Sequence, residues 1–131
     1  MAYHFIFPEL DTTLYSHPDR KTMNAGQDEL LEIVKEPGST DQYHYPSRIL
    51  IKFKNEDIIN AISLMGEGDF TSSLSSSVNL QLSVAEAKNI VSTHVLNAYA
   101  VSQSWDEGTG RYLNTPTASN GTSWTYRDNS T

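Results

Sequence analysis

The sequence predicts an all-β fold with one short helix, and three observations lead to this prediction. Hydrophobic residues make up 37% of the 131 residues, below the roughly 45–50% of an average globular protein, while Ser, Thr and Asn are abundant. Apolar and polar residues alternate in short runs that end at Gly- and Pro-containing turns, as in strands that bury one face. Helical spacing of apolar residues is clear in only one place. The length fits a single domain over residues 1–131.

The N-terminal part of the chain is expected to contribute three short strands. Residues 5–7 and 11–15 are rich in aromatic and β-branched side chains, and Pro8 between them ends the first strand or places it at a sheet edge. Residues 30–34 form an apolar run that could be either a helix or a strand. The Pro- and Gly-containing break at residues 36–39 favours a strand that is closed by a turn.

The strongest strand signal covers residues 47–54, where apolar side chains occupy alternate positions from Ile49 to Phe53. Because its other face also carries an apolar residue, we expect this strand to be central in its sheet. The helix should follow directly, over residues 55–62. Asn55 can cap its N-terminus, two acidic residues lie in its first turn, and three isoleucines follow at helical spacing.

The middle of the chain predicts two further strands separated by loops. Gly and Ser residues make residues 66–77 a loop. Residues 78–84 alternate strictly between apolar and polar side chains, which predicts a half-buried strand. Residues 85–91 are expected to form a turn or a single helical turn. Residues 95–101 are then expected to form a strand that leads directly into Trp105.

Charge and composition exclude several classes of partner. The net charge of -7 and the isoelectric point of about 4.9 argue against nucleic-acid binding, which requires clustered Lys and Arg. The chain has no cysteine, so it can form neither disulfides nor thiolate metal sites, and it suits assembly in a reducing cytosol. The apolar stretch at the N-terminus is short, lacks a basic leading region and is interrupted by Pro8. We therefore expect neither a secretory signal nor a membrane span.

Residues 104–110 are the most distinctive cluster, because an aromatic residue, two carboxylates and two glycines lie within a few positions. In a functional interpretation, Asp106 and Glu107 bind calcium or a sugar. In a structural interpretation, Trp105 packs at the end of a strand, while the carboxylates accept hydrogen bonds from N–H groups of the loop around Gly108. We favour the structural interpretation, because one acidic pair is too few ligands for a cation that takes about 6–8 oxygens.

No motif in the sequence predicts catalysis, a metal site or a cofactor. The histidines are too widely spaced for a zinc motif; they are His4, His17, His44 and His94. The nucleophile elbow, phosphate-binding Gly loop and zinc-protease motifs do not occur. Adjacent carboxylates in a strand point to opposite faces, so Asp106 and Glu107 are not expected to flank a bond for hydrolysis.

Four aromatic residues have two interpretations. Tyr43, Tyr45, Trp124 and Tyr126 could form a platform on which sugar rings stack, as in carbohydrate-binding sandwiches. Residues of this kind more often anchor a core or a protein interface. A carbohydrate-binding module would expose Tyr43, Tyr45, Trp105 or Trp124 in a row along a concave sheet face.

The order of several short motifs resembles the DNRLRE-type domain. The motifs are residues 11–15, 24–26, 47–53 and 104–108, followed by 108–112 and 121–128. The resemblance extends over nearly the whole chain and depends on the order and spacing of the motifs. It implies a jelly-roll-like β-sandwich, similar to carbohydrate-binding modules and found in bacterial surface proteins and in structural proteins of tailed bacteriophages. The last two motifs favour the phage type.

The resemblance also implies roles for individual residues. Ser47, Arg48, Leu50 and Phe53 would belong to the sandwich core. Residues 105–108, which are Trp105, Asp106, Glu107 and Gly108, would close the strand that comes after this core strand. The resemblance implies no catalytic role for either group.

Domains of this type normally continue into further strands after the second Trp, so the sandwich is expected to be incomplete at its C-terminal end. The sequence could be the ordered portion of a longer protein, a neighbouring subunit could supply the remaining strands, or the chain could be a natural short variant. The first option is favoured. An incomplete sandwich exposes sheet edges and an apolar face, so we expect the apolar residues of the 78–84 strand to be only partly covered.

These observations predict a non-enzymatic structural component of a tailed-phage virion. Tail, neck or appendage is favoured over capsid decoration, and the chain would assemble in the host cytoplasm as a homo-oligomer or in many copies with other virion subunits. The alternative is a carbohydrate-binding module that attaches to host-surface glycans. A glycan hydrolase ranks last, because it would need two carboxylates about 5–10 Å apart across a cleft.

Overall fold

The structure is a computed structural model that describes residues 4–38, 43–64, 78–88, 90 and 93–128. The chain divides into two compact units. One comprises Met1–Ile6 and Asn55–Ser102, and the other comprises Phe7–Lys54 and Gln103–Thr131. We call them the helix unit and the sheet unit.

The described residues form three strands and one helix. The elements are β1 over Pro8–Tyr15, β2 over Lys35–Pro37, β3 over His44–Phe53 and α1 over Asn55–Leu64. The predominance of strands over helix is as the sequence predicts. Within the described residues, no helix is both long enough and apolar enough to span a membrane.

The three strands form an antiparallel sheet in the order β1-β3-β2. In the register, Tyr15 faces Ser47 and Thr13 faces Ile49. The predicted central position of the 47–54 strand is therefore confirmed, and β3 begins three residues earlier than expected, at His44.

The first strand differs from its prediction in where it begins. No strand covers residues 5–7, so the prediction of a separate strand there is wrong; β1 begins at Pro8 and includes the whole of residues 11–15. Proline lacks an N–H donor, and the first position of an edge strand tolerates this loss because no ladder hydrogen bond is required there. Phe5 and Phe7 lie before the strand and are exposed.

The prediction of a strand over residues 30–34 is also wrong. The N–H of Glu32 donates to Thr13 Oγ1 at 3.0 Å, and the N–H of Val34 donates to Ser47 Oγ at 2.9 Å. Side chains of β1 and β3 therefore accept hydrogen bonds from the backbone N–H groups that a strand would use to pair with its neighbour. The strand instead begins at Lys35 as β2, which includes part of the predicted break, and the N–H of Gly38 donates to the carbonyl of Tyr43 where β2 and β3 connect.

The predicted helix is present. It covers Asn55–Leu64, two residues longer than expected, with Glu56 and Asp57 in its first turn. The acidic residues are favourable there because the N-terminus of a helix carries partial positive charge. Ala61 is buried, whereas Ile59 is exposed.

The two strands predicted in the middle of the chain do not form. Residues 78–84 and 95–101 have neither helix nor strand structure, and Ala85 lies at a bend. The alternating pattern of side chains favours a strand, but a strand also requires a neighbour for its backbone hydrogen bonds. The apolar side chains of residues 78–84 are 50–79% exposed, which agrees with the expectation of incomplete cover. The predicted loop at residues 66–77 lies outside the described residues.

The core of the sheet unit is small. Tyr15, Met23 and Ala25 form its buried apolar cluster, and Val34 and Tyr112 pack against it. The rings of Tyr15 and Tyr112 lie 5.2 Å apart between centroids, in a tilted arrangement. Several polar residues are also buried; they are Thr12, Thr13, Asn24, Thr122 and Ser123. Among them, Thr12 Oγ1 is buried without a hydrogen-bond partner, whereas buried polar groups are usually hydrogen-bonded.

Candidate functional site

The side chain of Asn24 joins three segments of the sheet unit. It is fully buried. Its Nδ2 donates to the carbonyls of Glu107 at 2.7 Å and Thr122 at 2.9 Å, and its Oδ1 accepts from the N–H groups of Gly26 at 3.2 Å and Gly110 at 2.7 Å. An amide has two donors and two acceptor lone pairs, so Asn24 uses its full hydrogen-bonding capacity.

Backbone hydrogen bonds strengthen the same connection. The N–H of Asn24 donates to Ala118, that of Gln27 donates to Gly110, and that of Thr122 donates to Asp106. We call residues 24–27, 105–110 and 118–123 together the Asn24 junction. It brings the distinctive cluster at 105–110 onto a segment about 80 residues earlier in the chain.

The junction requires glycine for two reasons. A Cβ atom at Gly26, Gly108, Gly110 or Gly121 would lie well under 3.0 Å from neighbouring backbone atoms, so no side chain fits. Gly108 and Gly121 also have φ angles of 78° and 83°, in the left-handed region that other residues rarely adopt. The glycines therefore allow the three segments to approach closely enough for Asn24 to bond to all of them.

The two carboxylates of the cluster bind groups of their own chain. Glu107 Oε1 accepts from the N–H of Asp11 at 2.9 Å, and its Oε2 accepts from Gln27 Nε2 at 3.4 Å. Asp106 Oδ1 accepts from the N–H of Gly108 at 3.4 Å. Burial raises the pKa of the Asp11 carboxyl. Among the described residues, no group of three or more His, Asp or Glu side chains is placed to hold a metal ion.

Of the other residues of the predicted structural motif, Arg48 and Phe53 lie on β3. Phe53 and Trp105 are half-buried. Arg48 is exposed, so the core position that the resemblance implied for it is wrong. The reason is the alternation of β3, which directs Arg48 away from the side of its neighbours Ser47 and Ile49. Its guanidinium lies 4.6 Å from the centroid of the Trp124 ring, in a cation–π contact.

The four predicted glycan or interface aromatics differ in exposure. Tyr43 is 74% exposed, whereas Tyr45, Trp124 and Tyr126 are half-buried. The Tyr45 ring meets His17 edge to face at 5.1 Å, and Arg48 lies over Trp124. His17 and Arg48 thus contact the Tyr45 and Trp124 rings, on which a sugar would have to stack.

An open cleft of about 390 Å³ lies at the surface of the sheet unit. Its lining is Asp28, Glu29, Leu30, Glu32, Arg111, Tyr112 and Leu113. The hydroxyl of Tyr15 donates to Glu32 Oε2 at 2.6 Å, and the N–H of Tyr112 donates to Asp28 Oδ1 at 3.1 Å. Burial, and then the bond to Glu32, raises the pKa of the Tyr15 hydroxyl. Two of the acidic side chains that line the cleft, Glu32 and Asp28, therefore accept hydrogen bonds from groups of the same unit.

Sequence reasoning did not single out the cleft or the role of Asn24. The available signal for Asn24 was the coincidence of three Gly-containing motifs in a chain with only seven glycines. Such motifs often mark close approaches of the backbone. The cleft had no comparable signal, because Asp28 and Arg111 are far apart in sequence.

Compared with family models, curated proteins and solved structures, the chain matches none of them.

Proposed function

We propose that this chain is a non-enzymatic structural subunit of a tailed-phage virion that acts through contacts with other subunits. The class of particle comes from the resemblance of the sequence motifs to phage structural proteins. The mode of action comes from one observation, the exposed apolar surface of the described residues between 78 and 102. We call residues 78–88, 90 and 93–102 the arm.

The arm exposes large apolar side chains over most of its length. Nine of them are between 50% and 83% exposed: Val78, Leu80, Leu82, Val84, Ile90, Val95, Leu96, Tyr99 and Val101. A single exposed apolar residue is ordinary, but a contiguous set of this kind is typical of a surface that another protein covers. The arm has only two charged residues, Glu86 and Lys88, which pair at 2.9 Å.

The motifs behind the resemblance meet in the Asn24 junction, which supports treating them as determinants of one fold. Residues 24–26, 105–110 and 121–123 bond to one another there, and Glu107 reaches the backbone of β1 at Asp11. We infer that the three-stranded sheet is one layer of a jelly-roll-like β-sandwich. In this proposal, the arm forms strands only when a neighbouring chain provides their partner.

Attachment to host glycans has less support. A glycan platform needs accessible ring faces, and contacts within the sheet unit use Trp124 and Tyr45. Tyr43 is the most exposed of the four aromatics, and one exposed ring is a small platform.

Particle composition tests the proposal. Phage particles from a strain that encodes this chain are purified by density gradient, and their proteins are quantified by mass spectrometry. We expect the chain in many copies per particle, and immunogold labelling with an antibody against it should decorate the tail, neck or an appendage. A chain that is abundant in the lysate but absent from the purified particles would overturn the proposal.

A further inference from the structure

We infer that Asn120 is a deamidation site controlled by the Asn24 junction: the closed junction slows the reaction, and the product of the reaction prevents the junction from closing again. The full chain contains a single Asn-Gly pair, Asn120-Gly121, and this pair lies in the junction. Three observations carry the inference: the chemistry of the pair, the contacts that hold it, and the lack of space around Gly108 and Gly121.

The reaction needs only water as a co-reactant. The backbone nitrogen of Gly121 bonds to Cγ of Asn120 in place of Nδ2, which leaves as ammonia with the proton of the Gly121 N–H. Water then opens the cyclic imide, at one carbonyl to give aspartate and at the other to give isoaspartate. A glycine hinders the attacking nitrogen least, because it has no side chain. The sequence therefore favours deamidation at Asn120 over the other asparagines.

The closed junction holds both reacting groups. Asn120 is exposed to water, and its Nδ2 donates to Thr109 Oγ1 at 2.8 Å. Gly121 is buried with a φ angle of 83°, and the carbonyl of the next residue, Thr122, accepts from Asn24 Nδ2 at 2.9 Å. Ring closure turns the Asn120 side chain toward the Gly121 nitrogen and twists the backbone between them. These contacts must therefore break first, and the reaction is slowed by the cost of local opening.

Isoaspartate does not fit the closed junction. Its backbone continues through the former side chain, so the chain between residues 120 and 121 gains a methylene group and the former carbonyl of Asn120 becomes a free carboxylate. That carbonyl lies against Gly108, where an added Cβ would be under 3.0 Å from it. A Cβ at Gly121 would likewise lie under 3.0 Å from the backbone of Gly108. The added atoms and the new charge therefore keep the segments apart.

Deamidation rates test the protection. The folded chain and the chain unfolded in urea are incubated at neutral pH and then digested with trypsin at mildly acidic pH. Cleavage after Arg111 and Arg127 releases one peptide that contains both Asn114 and Asn120, so mass spectrometry follows the two sites together. In urea, Asn120 should react well before Asn114. In the folded chain, Asn120 should react at least about tenfold more slowly than in urea, because the junction must open first.

Two variants test which contacts give the protection. Thr109→Val removes the hydroxyl that holds the Asn120 amide, and Asn24→Ala removes the amide that holds the carbonyl of Thr122. Under folding conditions both should deamidate faster than the wild type at Asn120, with the larger increase for Asn24→Ala. In urea both should match the wild type, since neither position is adjacent to Asn120. Thr117→Val, at an exposed loop position, is the matched control and should keep the wild-type rate in both conditions.

Hydrogen exchange tests the effect of the product. The isoaspartate form of the wild-type chain is separated by chromatography and compared with the unreacted chain. The N–H groups of Gly110 and Thr122 bond to Asn24 Oδ1 and to the carbonyl of Asp106 in the closed junction, so both should exchange faster in the isoaspartate form. An Asn120→Ala chain incubated for the same time should keep slow exchange at both groups.

Three results would overturn the inference. A folded chain that reacts at Asn120 as fast as the unfolded chain would show that the junction gives no protection. Folded Thr109→Val and Asn24→Ala chains that both react at the wild-type rate would show that these contacts do not control the reaction. An isoaspartate form whose Gly110 and Thr122 N–H groups exchange as slowly as in the unreacted chain would show that the junction closes around the product.

Discussion

The Asn24 junction and the arm distribute polar and apolar residues in opposite ways. In the junction, a fully buried amide makes four hydrogen bonds within its own chain. In the arm, nine large apolar side chains are exposed. Burying a polar group costs free energy unless it is hydrogen-bonded, and a large exposed apolar set is typical of a surface that another molecule covers. The junction is thus complete within one chain, whereas in our proposal another chain covers the arm.

The largest effect is expected from Asn24→Ala. The substitution leaves two carbonyls and two N–H groups without the partner that satisfied them, and each buried unsatisfied group costs about 1–3 kcal/mol. Allowing for water entry, we expect the free energy of unfolding to fall by about 4 kcal/mol. Urea unfolding followed by fluorescence measures the change.

The matched control for this prediction is Asn120→Ala. Its amide makes one exposed hydrogen bond, to Thr109 at 2.8 Å, so the loss should stay below about 1 kcal/mol. Equal effects of the two variants would remove the contrast between the buried amide of Asn24 and an exposed amide of the same junction.

Gly108→Ala should destabilise the sheet unit by about 3 kcal/mol. The φ angle of Gly108 is 78°, and a new Cβ would crowd the carbonyl of Asn120 and the Asn24 side chain; both effects are unfavourable. Thermal unfolding of this variant is compared with that of Thr117→Ala, at an exposed loop position. A Gly108→Ala chain as stable as the control would show that the junction relaxes to accept a side chain.

Alkaline pH should destabilise the sheet unit through Tyr15. Its pKa in the folded chain is raised above the usual value of 10.0, so the unfolded chain loses this proton first. The unfolded state then binds fewer protons, and stability falls as pH rises above about 10, by at most about 1.4 kcal/mol per pH unit. Below pH 10 the contribution of Tyr15 is fully present.

Tyr15→Phe tests the assignment. This variant lacks the titrating hydroxyl, so its free energy of unfolding should decline less steeply between pH 10 and 11 than that of the wild type. Tyr43→Phe, at a residue that is 74% exposed, should retain the wild-type slope. If the Tyr15→Phe slope equals the wild-type slope, another group causes the alkaline loss.

The smallest effect on stability is expected from Leu82→Gln in the arm. Leu82 is 50% exposed and lies outside every strand, so the unfolding free energy of the monomer should change by less than about 0.5 kcal/mol. The measurement uses dilute protein, because any association of chains would add stability by mass action. A loss of 2 kcal/mol or more, the order expected for a buried Leu, would show that the arm already packs within its own chain.

Local sequence signals succeeded where a structural element depends on neighbouring residues. The alternation from Ile49 to Phe53 and the cap at Asn55 were sufficient to predict β3 and α1. The same kind of reasoning failed for residues 30–34, because Thr13 and Ser47, distant in sequence, bond to the backbone there. It also failed for residues 78–84, where the pattern of a strand is present without a strand.

The candidate site likewise combines features that the sequence predicts with features that it does not predict. The residues of the 105–110 cluster were recognisable from sequence as an unusual group, and their bonds are with their own chain. That Asn24 is their common partner could not be predicted, since about 80 residues separate the two segments. The contact of Arg48 with Trp124 likewise depends on how the segments pack.

The sequence by itself determined the preference for strands over helices and the places of α1 and of the central strand β3, because side-chain periodicity and capping act over a few residues. Tertiary structure alone decided which backbone groups pair and which apolar residues are covered, because both depend on segments that meet only after folding. The glycines of the Asn24 junction permit one such meeting. The arm has the side-chain pattern of a strand, which the sequence determines. Its apolar side chains are exposed, and whether they are covered depends on tertiary structure.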